Sequence, residues 1–184
     1  MRKFFGITII FLIIFSNKLP ANENLLDSLK KGGKIIFIRH AYAPGNGDPD
    51  NFLLNKCSTQ RNLNQEGIKQ SQKIGIFFLE NNIKIDKVLS SEWCRCKETA
   101  VLAFNNYKTF SALNSFYHMR FKKNKKKQIK DLKNYIKNWS SYKNLVLVTH
   151  HVVILEVLGQ SISSGEMIVS DKKFNVIGNF KINN

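Results

Sequence analysis

Short apolar runs alternate along the chain with segments in which apolar residues recur every three or four positions. The runs predict strands, and the wider spacing predicts helices. Strands are predicted at 34–39, 84–91, 107–113 and 144–150, with a closing hairpin of 165–171 and 174–182. Helices are predicted at 23–33, 65–82, 95–104, 122–139 and 151–159. Because strands and helices alternate, we expect an α/β fold of three layers, in which a mostly parallel central sheet carries helices on both faces.

The first 21 residues differ from the rest of the chain. A short basic start is followed by a 12-residue apolar run, Phe4 to Phe15, and by a polar stretch that ends at Ala21. A helix of that length spans about 18 Å, which is too short for a bilayer core of roughly 30 Å. The pattern is typical of a secretory signal peptide at 1–21, whose removal leaves a single domain at 22–184. We therefore expect an exported protein of the periplasm; an uncleaved anchor or a buried N-terminal helix is the alternative.

The chain is strongly basic, with 29 Lys and Arg against 13 Asp and Glu and a net charge of +16. Compositional drift in an AT-rich genome is one explanation, and attraction of anionic ligands or surfaces is the other. The lysine run at 122–127 lies on a predicted amphipathic helix, which favours a solvated helix face. An anionic membrane surface is the functional alternative, and an exported protein is not expected to bind nucleic acid.

Three cysteines, Cys57, Cys94 and Cys96, are an odd number for an exported chain. In an oxidising compartment we expect one disulfide and one remaining thiol. A Cys-x-Cys pair with one distant cysteine lacks the spacing of zinc ligands. We therefore expect neither a metal site nor a cofactor.

Polar residues that are costly to bury follow three of the predicted strands where each strand ends. Arg39 and His40 end the first strand, Arg95 lies one turn beyond the second, and His150 ends the fourth. In parallel sheets the ligand site lies beyond the carboxyl ends of the strands. An arginine fork matches the oxygens of a phosphoryl group, and a neutral imidazole can attack phosphorus. The sequence therefore predicts a phosphate pocket in which Arg39 holds a phosphoryl group that His40 attacks.

Four motifs carry a resemblance to a known family. They are RHAYAPGN (39–46), LNQEGIKQS (63–71), SEWCRCKETA (91–100) and VLVTHH (146–151). In this order they resemble the signatures of the histidine phosphatase superfamily, the phosphoglycerate mutase-like group. The resemblance implies a phosphoglycerate mutase-like fold and a metal-independent phosphatase of the histidine acid type, acting on phosphoric monoesters.

The resemblance also assigns roles to individual positions. It implies that His40 is the phosphorylated nucleophile and that Arg39, Arg95 and His150 complete the phosphate pocket, with Asn46 as a further contact.

Three further expectations concern Arg61, His151 and the pairing of the cysteines. The resemblance places Arg61 at the pocket rim, with a surface salt bridge as the alternative. His151 is expected to point away from the pocket, into the next helix. The family topology brings the loop after the first strand near the helix that carries Arg95. This implies a disulfide between Cys57 and one of two partners, Cys94 or Cys96.

The chain departs from the family pattern in ways that affect catalysis. Ala41 and Ala43 replace the usual Gly and a frequent phosphate-binding Thr, and the region 111–119, where larger members supply a glutamate as general acid, contains no acid. Glu92 and Glu166 are the remaining candidates for that role.

The substrate is left open by the sequence. An exported phosphatase could act on phosphorylated surface glycans or on small phosphoesters, and the resemblance to short exported members favours lipopolysaccharide sugar phosphates. Because the acid is missing, a phosphate-binding module with little turnover and a phosphohistidine protein phosphatase are the alternatives.

Overall fold

The computed structural model describes residues 21–182. Its helices are α1 (Ala21–Lys31), α2 (Gln65–Glu80), α3 (Cys94–Phe104), α4 (Met119–Lys122), α5 (Lys125–Asn138) and α6 (His151–Leu158). Its strands are β1 (Ile35–Arg39), β2 (Ile85–Ser90), β3 (Lys108–Thr109), β4 (Asn144–Thr149), β5 (Met167–Ser170) and β6 (Val176–Phe180). Of the predicted signal peptide, residues 1–20 lie outside the described part of the chain. Among the helices of 21–182, none is long and apolar enough to cross a membrane.

The described strands form one sheet in the order β3-β2-β4-β1-β5-β6. Strands β1 to β4 run parallel, whereas β5 and β6 form an antiparallel hairpin that extends the sheet beside β1. The mostly parallel sheet and the closing hairpin predicted from the sequence are therefore confirmed.

Both faces of the sheet are covered by helices. Successive residues of the central strands point to opposite faces, so each strand contributes side chains to both sides. Ile35 and Phe37 of β1 pack in one hydrophobic cluster with residues of α5 and α6. Ile36 and Ile38 pack in a second cluster with residues of α1, α2 and α3. The three predicted layers are confirmed, and they explain why β1 is an unbroken apolar run.

The third predicted strand is shorter than expected. β3 contains only two residues instead of running over 107–113. The chain then leaves the sheet in a 3₁₀ turn, Ser111–Leu113, because Ala112 and Leu113 are buried in the hydrophobic cluster that contains α5.

The helix predicted at 122–139 is present as α5, which begins three residues later, and a separate short helix, α4, precedes it. Phe121 of α4 packs against the cluster on the α3 side of the sheet. Ile129 and Leu132 of α5 are buried in the cluster on the opposite side. One straight helix cannot reach both clusters, so the helical path breaks between the two segments.

Candidate active site

The carboxyl ends of β1, β2 and β4 lie level at one edge of the sheet. Arg39 is paired with Thr149 in the parallel ladder, and the His40 N–H donates to the Thr149 carbonyl at 2.9 Å. The Ser91 N–H donates to the Val148 carbonyl at 3.0 Å. This register brings the polar residues that follow three strands to a single site.

A cavity of about 200 Å³ opens at this edge. All six residues that the sequence analysis assigned to phosphate binding or nucleophilic attack line it: Arg39, His40, Asn46, Arg61, Arg95 and His150. The fold therefore brings together side chains that lie far apart in the sequence.

The imidazole of His40 lies at the cavity wall, where the residue is 2% exposed. Its Nδ1 lies 2.8 Å from the Ala41 carbonyl, and because a carbonyl only accepts, Nδ1 carries the proton. The lone pair is therefore on Nε2, which makes no hydrogen bond within residues 21–182. Burial, and after it the charge of Arg95, lowers the pKa of His40 well below its usual value. The imidazole is therefore uncharged at neutral pH, which is the form that can attack phosphorus.

A second imidazole, that of His150, lies beside the first, with the ring centroids 5.5 Å apart. The Nε2 atom of His150 is 2.9 Å from the Ser91 hydroxyl and 3.5 Å from the Cys96 thiol. Burial, and after it the charge of Arg95, lowers the pKa of His150 well below its usual value. The Ser91 hydroxyl and the Cys96 thiol therefore fix the orientation of the His150 ring through Nε2.

Two arginines each have unused donors. Arg39 donates from Nη1 to the Ile162 carbonyl at 2.8 Å, and Arg95 donates from Nη1 and Nη2 to the Asp48 carboxylate at 2.8 and 3.1 Å. The Nε atoms of both arginines are buried and have no hydrogen-bond partner within the described chain. A buried donor without a partner is costly. The side-on edge of each guanidinium, Nε–H with an Nη2–H, is therefore available to two oxygens of an anion.

Arg61 lies at the cavity, and within residues 21–182 its guanidinium does not form the surface salt bridge considered as its alternative. Its Nε donates to the Gly47 carbonyl at 2.9 Å, and its Nη1 donates to the Ala43 carbonyl. Burial, and after it the charge of Arg95, lowers the pKa of both Arg61 and Arg39. The guanidinium groups thus repel one another, and a bound anion would relieve that repulsion.

Asp48 is a residue of the site that the sequence analysis missed. Besides its two bonds from Arg95, its carboxylate accepts the indole N–H of Trp93 at 3.0 Å. Burial alone would raise the pKa of Asp48, but the hydrogen bonds and charge of Arg95 outweigh it and hold the pKa below its usual value. The loop 42–60 has no apolar periodicity, and Asp50 offers the same side chain two residues later. No sequence signal distinguishes the two.

The two carboxylates considered as general acids, Glu92 and Glu166, are not among the residues that line the cavity. Glu92 accepts a hydrogen bond from the Asn114 amide. Glu166 accepts from the Ser163 N–H at 2.7 Å and from the Asn179 amide at 3.2 Å. Both carboxylates are therefore hydrogen-bonded to residues outside the cavity lining.

Two further histidines, His118 and His151, do line the cavity. His151 is the first residue of α6, in the helix turn where it was expected, and it is nevertheless one of the residues that line the cavity. Despite this concentration of imidazoles, no group of three or more His, Cys, Asp or Glu side chains in 21–182 is arranged to hold a metal ion.

A disulfide joins the loop after β1 to the helix that carries Arg95. Of the two pairings that the resemblance implied, the structure contains Cys57–Cys94. Cys96 is a free, buried thiol, and burial raises the pKa of Cys96 to about 12. The bridge fixes the 3₁₀ turn Cys57–Thr59 against the first residue of α3.

No family model matches this chain, and no curated protein matches it either. Among solved structures, the protein histidine phosphatase SixA complexed with tungstate is 12% identical, with a TM-score of 0.56 over 80% of this chain and 96% of that one. Phosphoglycerate mutase from Thermus thermophilus is 15% identical, with a TM-score of 0.57 over 82% and 99%. Alpha-ribazole phosphatase from Shigella flexneri is 15% identical, with a TM-score of 0.52 over 74% and 89%. The described chain therefore has the fold of these proteins, a phosphoglycerate mutase-like fold.

Proposed function

We propose that this protein is a phosphatase that acts through a phosphohistidine at His40. The observation that carries the proposal is that the unpartnered Nε2 of His40 shares one cavity with the free side-on edges of Arg39 and Arg95. Those donors suit the outer oxygens of a phosphoryl group whose phosphorus faces the nucleophile. The four sequence motifs and the fold shared with enzymes named as phosphatases and a mutase support the same conclusion.

The proposed reaction has two steps. First, the Nε2 lone pair of His40 forms a bond to phosphorus while the bond to the leaving group breaks, and the leaving group takes that electron pair. Arg39, Arg95 and His150 stabilise the charge on the phosphoryl oxygens. In the second step a water molecule attacks phosphorus, the N–P bond returns its electrons to Nε2, and the proton of the water is lost to solvent or to the released phosphate. The Ala41 carbonyl keeps the ring aligned throughout.

Proton supply to the leaving group separates two classes of substrate. Among the described residues that line the cavity the only carboxylate is Asp48, which is bound to Arg95. An alkoxide leaving group needs a proton from an acid, whereas the imidazole released from a phosphohistidine can take its proton from water. This observation favours a second candidate, a phosphohistidine protein phosphatase, beside a phosphomonoester hydrolase.

We further propose that the protein is exported and meets its substrate at the cell surface. Phosphorylated surface glycans, including lipopolysaccharide sugars, and small phosphoesters are the proposed substrates, and the exposed lysines of α5 suit an anionic membrane surface. The signal-peptide pattern at 1–21 supports export, and so does the Cys57–Cys94 bridge, since disulfides persist in oxidising compartments. N-terminal sequencing of the protein from intact cells should then find a start near Asn22.

The test is a turnover screen over phosphosugars, nucleotides and phosphohistidine peptides, with released phosphate as the readout. We expect hydrolysis of at least one class, loss of that activity in His40→Ala, and no effect of a chelator. A preference for phosphohistidine peptides would select the second candidate. Phosphate binding without turnover in any class, or turnover that survives His40→Ala, would show that the proposed function is wrong.

A further inference from the structure

The carboxylate of Asp48 accepts four hydrogen bonds from residues of the site. Its Oδ1 accepts from Arg95 Nη1 at 2.8 Å and from the Arg61 backbone N–H at 2.9 Å. Its Oδ2 accepts from Arg95 Nη2 at 3.1 Å and from the Trp93 indole at 3.0 Å. The side chains of Arg95 and Asp48 are only 4% and 7% exposed. The carboxylate is therefore a buried anion that is fully supplied with donors.

This contact determines which edge of Arg95 a ligand can use. The end-on pair, Nη1 and Nη2, is occupied by Asp48, and Nη1 also donates to the Arg61 carbonyl at 3.2 Å. The remaining donors are Nε–H and the second Nη2–H, and Nε has no partner within the described chain. Because a guanidinium is planar and rigid, fixing one edge also fixes the direction of the other. Asp48 thus holds the side-on edge of Arg95 in place before any ligand arrives.

Asp48 also changes the charge of the cavity. Arg39, Arg61 and Arg95 supply three positive charges among the lining residues and Asp48 supplies one negative charge, so the formal sum is 3 − 1 = +2. A phosphoryl dianion balances that sum, whereas a cavity without Asp48 would retain the dianion more strongly after transfer.

We propose that Asp48 is a positioning residue that pre-orients Arg95 for the transferring phosphoryl group and, by lowering the positive charge of the cavity, weakens the binding of free phosphate so that the product leaves. Asp48 does not act as a proton donor, because both of its carboxylate oxygens already accept hydrogen bonds, four in total, from N–H groups of neighbouring residues. The claim that Asp48 orients Arg95 for phosphoryl transfer rests on the proposed phosphatase function. The claim that Asp48 weakens phosphate binding concerns only the cavity.

The test is Asp48→Asn, measured by calorimetric titration of the full-length protein with inorganic phosphate and with tungstate, and by steady-state turnover. Loss of one negative charge beside a dianion should tighten anion binding by about tenfold. The amide nitrogen cannot accept from Arg95 or Trp93, so Arg95 loses its fixed direction and kcat should fall by about 10²-fold. Tighter binding together with slower turnover is a pattern that general loss of structure does not produce.

The matched control is Asp50→Asn, which removes the same charge from the same loop. Asp50 is fully exposed, and its one polar contact within the described residues is with His118, at 3.4 Å. We therefore expect phosphate affinity and kcat to stay within about twofold. If Asp48→Asn does not fold, Asp48→Ser carries the same two expectations.

The outcomes separate this inference from the proposed function. Anion binding by Asp48→Asn that is equal to or weaker than that of the wild type would overturn the inference, as would an unchanged kcat. If the wild type hydrolyses no phosphorylated substrate, the proposed function fails, and the phosphate titration still decides whether Asp48 limits anion affinity.

Discussion

At the scale of single residues, the chemistry of the site depends on how two neighbours in the sequence are partnered. Arg39 completes the β1 ladder and keeps its Nε free. His40 is fixed through Nδ1 by the Ala41 carbonyl, which leaves Nε2 unpartnered as the proposed nucleophile. Burial and the charge of Arg95 keep that imidazole neutral because they lower the pKa of His40. In the proposed reaction, one dipeptide thus supplies both the attacking atom and a donor for the charge that develops.

The first prediction concerns the shape of the Arg95 side chain. Arg95→Lys preserves the charge but removes both edges of the guanidinium, the one bound to Asp48 and the one left for a phosphoryl group. We expect kcat to fall by about 10²- to 10³-fold, as when a preorganised transition-state donor is removed. Steady-state kinetics on the best substrate of the screen measures this loss.

The control for this variant is Arg120→Lys. Arg120 stacks on Phe52, 4.0 Å from the ring centroid, and does not line the cavity. Its replacement should leave kcat within about twofold. A kcat for Arg95→Lys above one tenth of the wild-type value would contradict the role assigned to the guanidinium.

At the scale of elements, the loop between β1 and α2 carries half of the site with little regular structure. Gln60 fixes it internally, donating to the Leu53 and Leu54 carbonyls at 2.9 and 3.0 Å, and accepts the Cys94 N–H at 3.0 Å. The disulfide attaches the same turn to α3. The positions of Asp48 and Arg61 relative to α3 therefore depend on a few specific attachments.

The second prediction tests the strongest of those attachments. Cys57 and Cys94 are separated by 37 positions, and removing a bridge across such a loop should lower the free energy of unfolding by about 4 kcal/mol. The variant Cys57→Ala/Cys94→Ala, unfolded in urea, measures the change. A reducing agent should destabilise the wild type by a similar amount and leave the variant unaffected. Equal stability of the variant and the oxidised wild type would rule out this contribution.

At the scale of the whole molecule, two neutral buried imidazoles make stability depend on pH. The pKa values of His40 and His150 are both lowered well below the usual value by burial and then by Arg95. Below about pH 6.5 the unfolded chain takes up two protons that the folded chain does not. Stability is therefore greatest above that pH and is lost as the pH falls.

The third prediction follows from this linkage. Between about pH 6.5 and pH 5, the free energy of unfolding should decrease with a slope of about 1.4 kcal/mol per pH unit for each of the two histidines. The double variant His40→Asn/His150→Asn should show a clearly shallower slope in urea unfolding. Asn46→Ser, which replaces one uncharged side chain of the same cavity with another, should keep the wild-type slope. A double variant with an undiminished slope would refute the assignment.

The sequence allowed most of the fold to be predicted, because β1 and β4 are buried on both faces and therefore form unbroken apolar runs. The side chains at the strand ends were predictable for a related reason, since parallel strands end at a common edge. The place of Asp48 in the site could not be predicted, because it depends on a loop path that Gln60 and the disulfide determine. The short helix α4 was not predicted, because its separation from α5 depends on which face of the sheet each helix covers.

The central claim is that His40 becomes phosphorylated, and one measurement tests it most directly. The full-length protein is mixed with a radiolabelled substrate from the screen, quenched within milliseconds, and mapped by mass spectrometry. The account predicts a phosphoenzyme that is labile in acid and stable in alkali, with the phosphoryl group on His40 and no label in His40→Ala. A phosphoryl group on any other residue, or rapid turnover with no trapped phosphoenzyme, would contradict it.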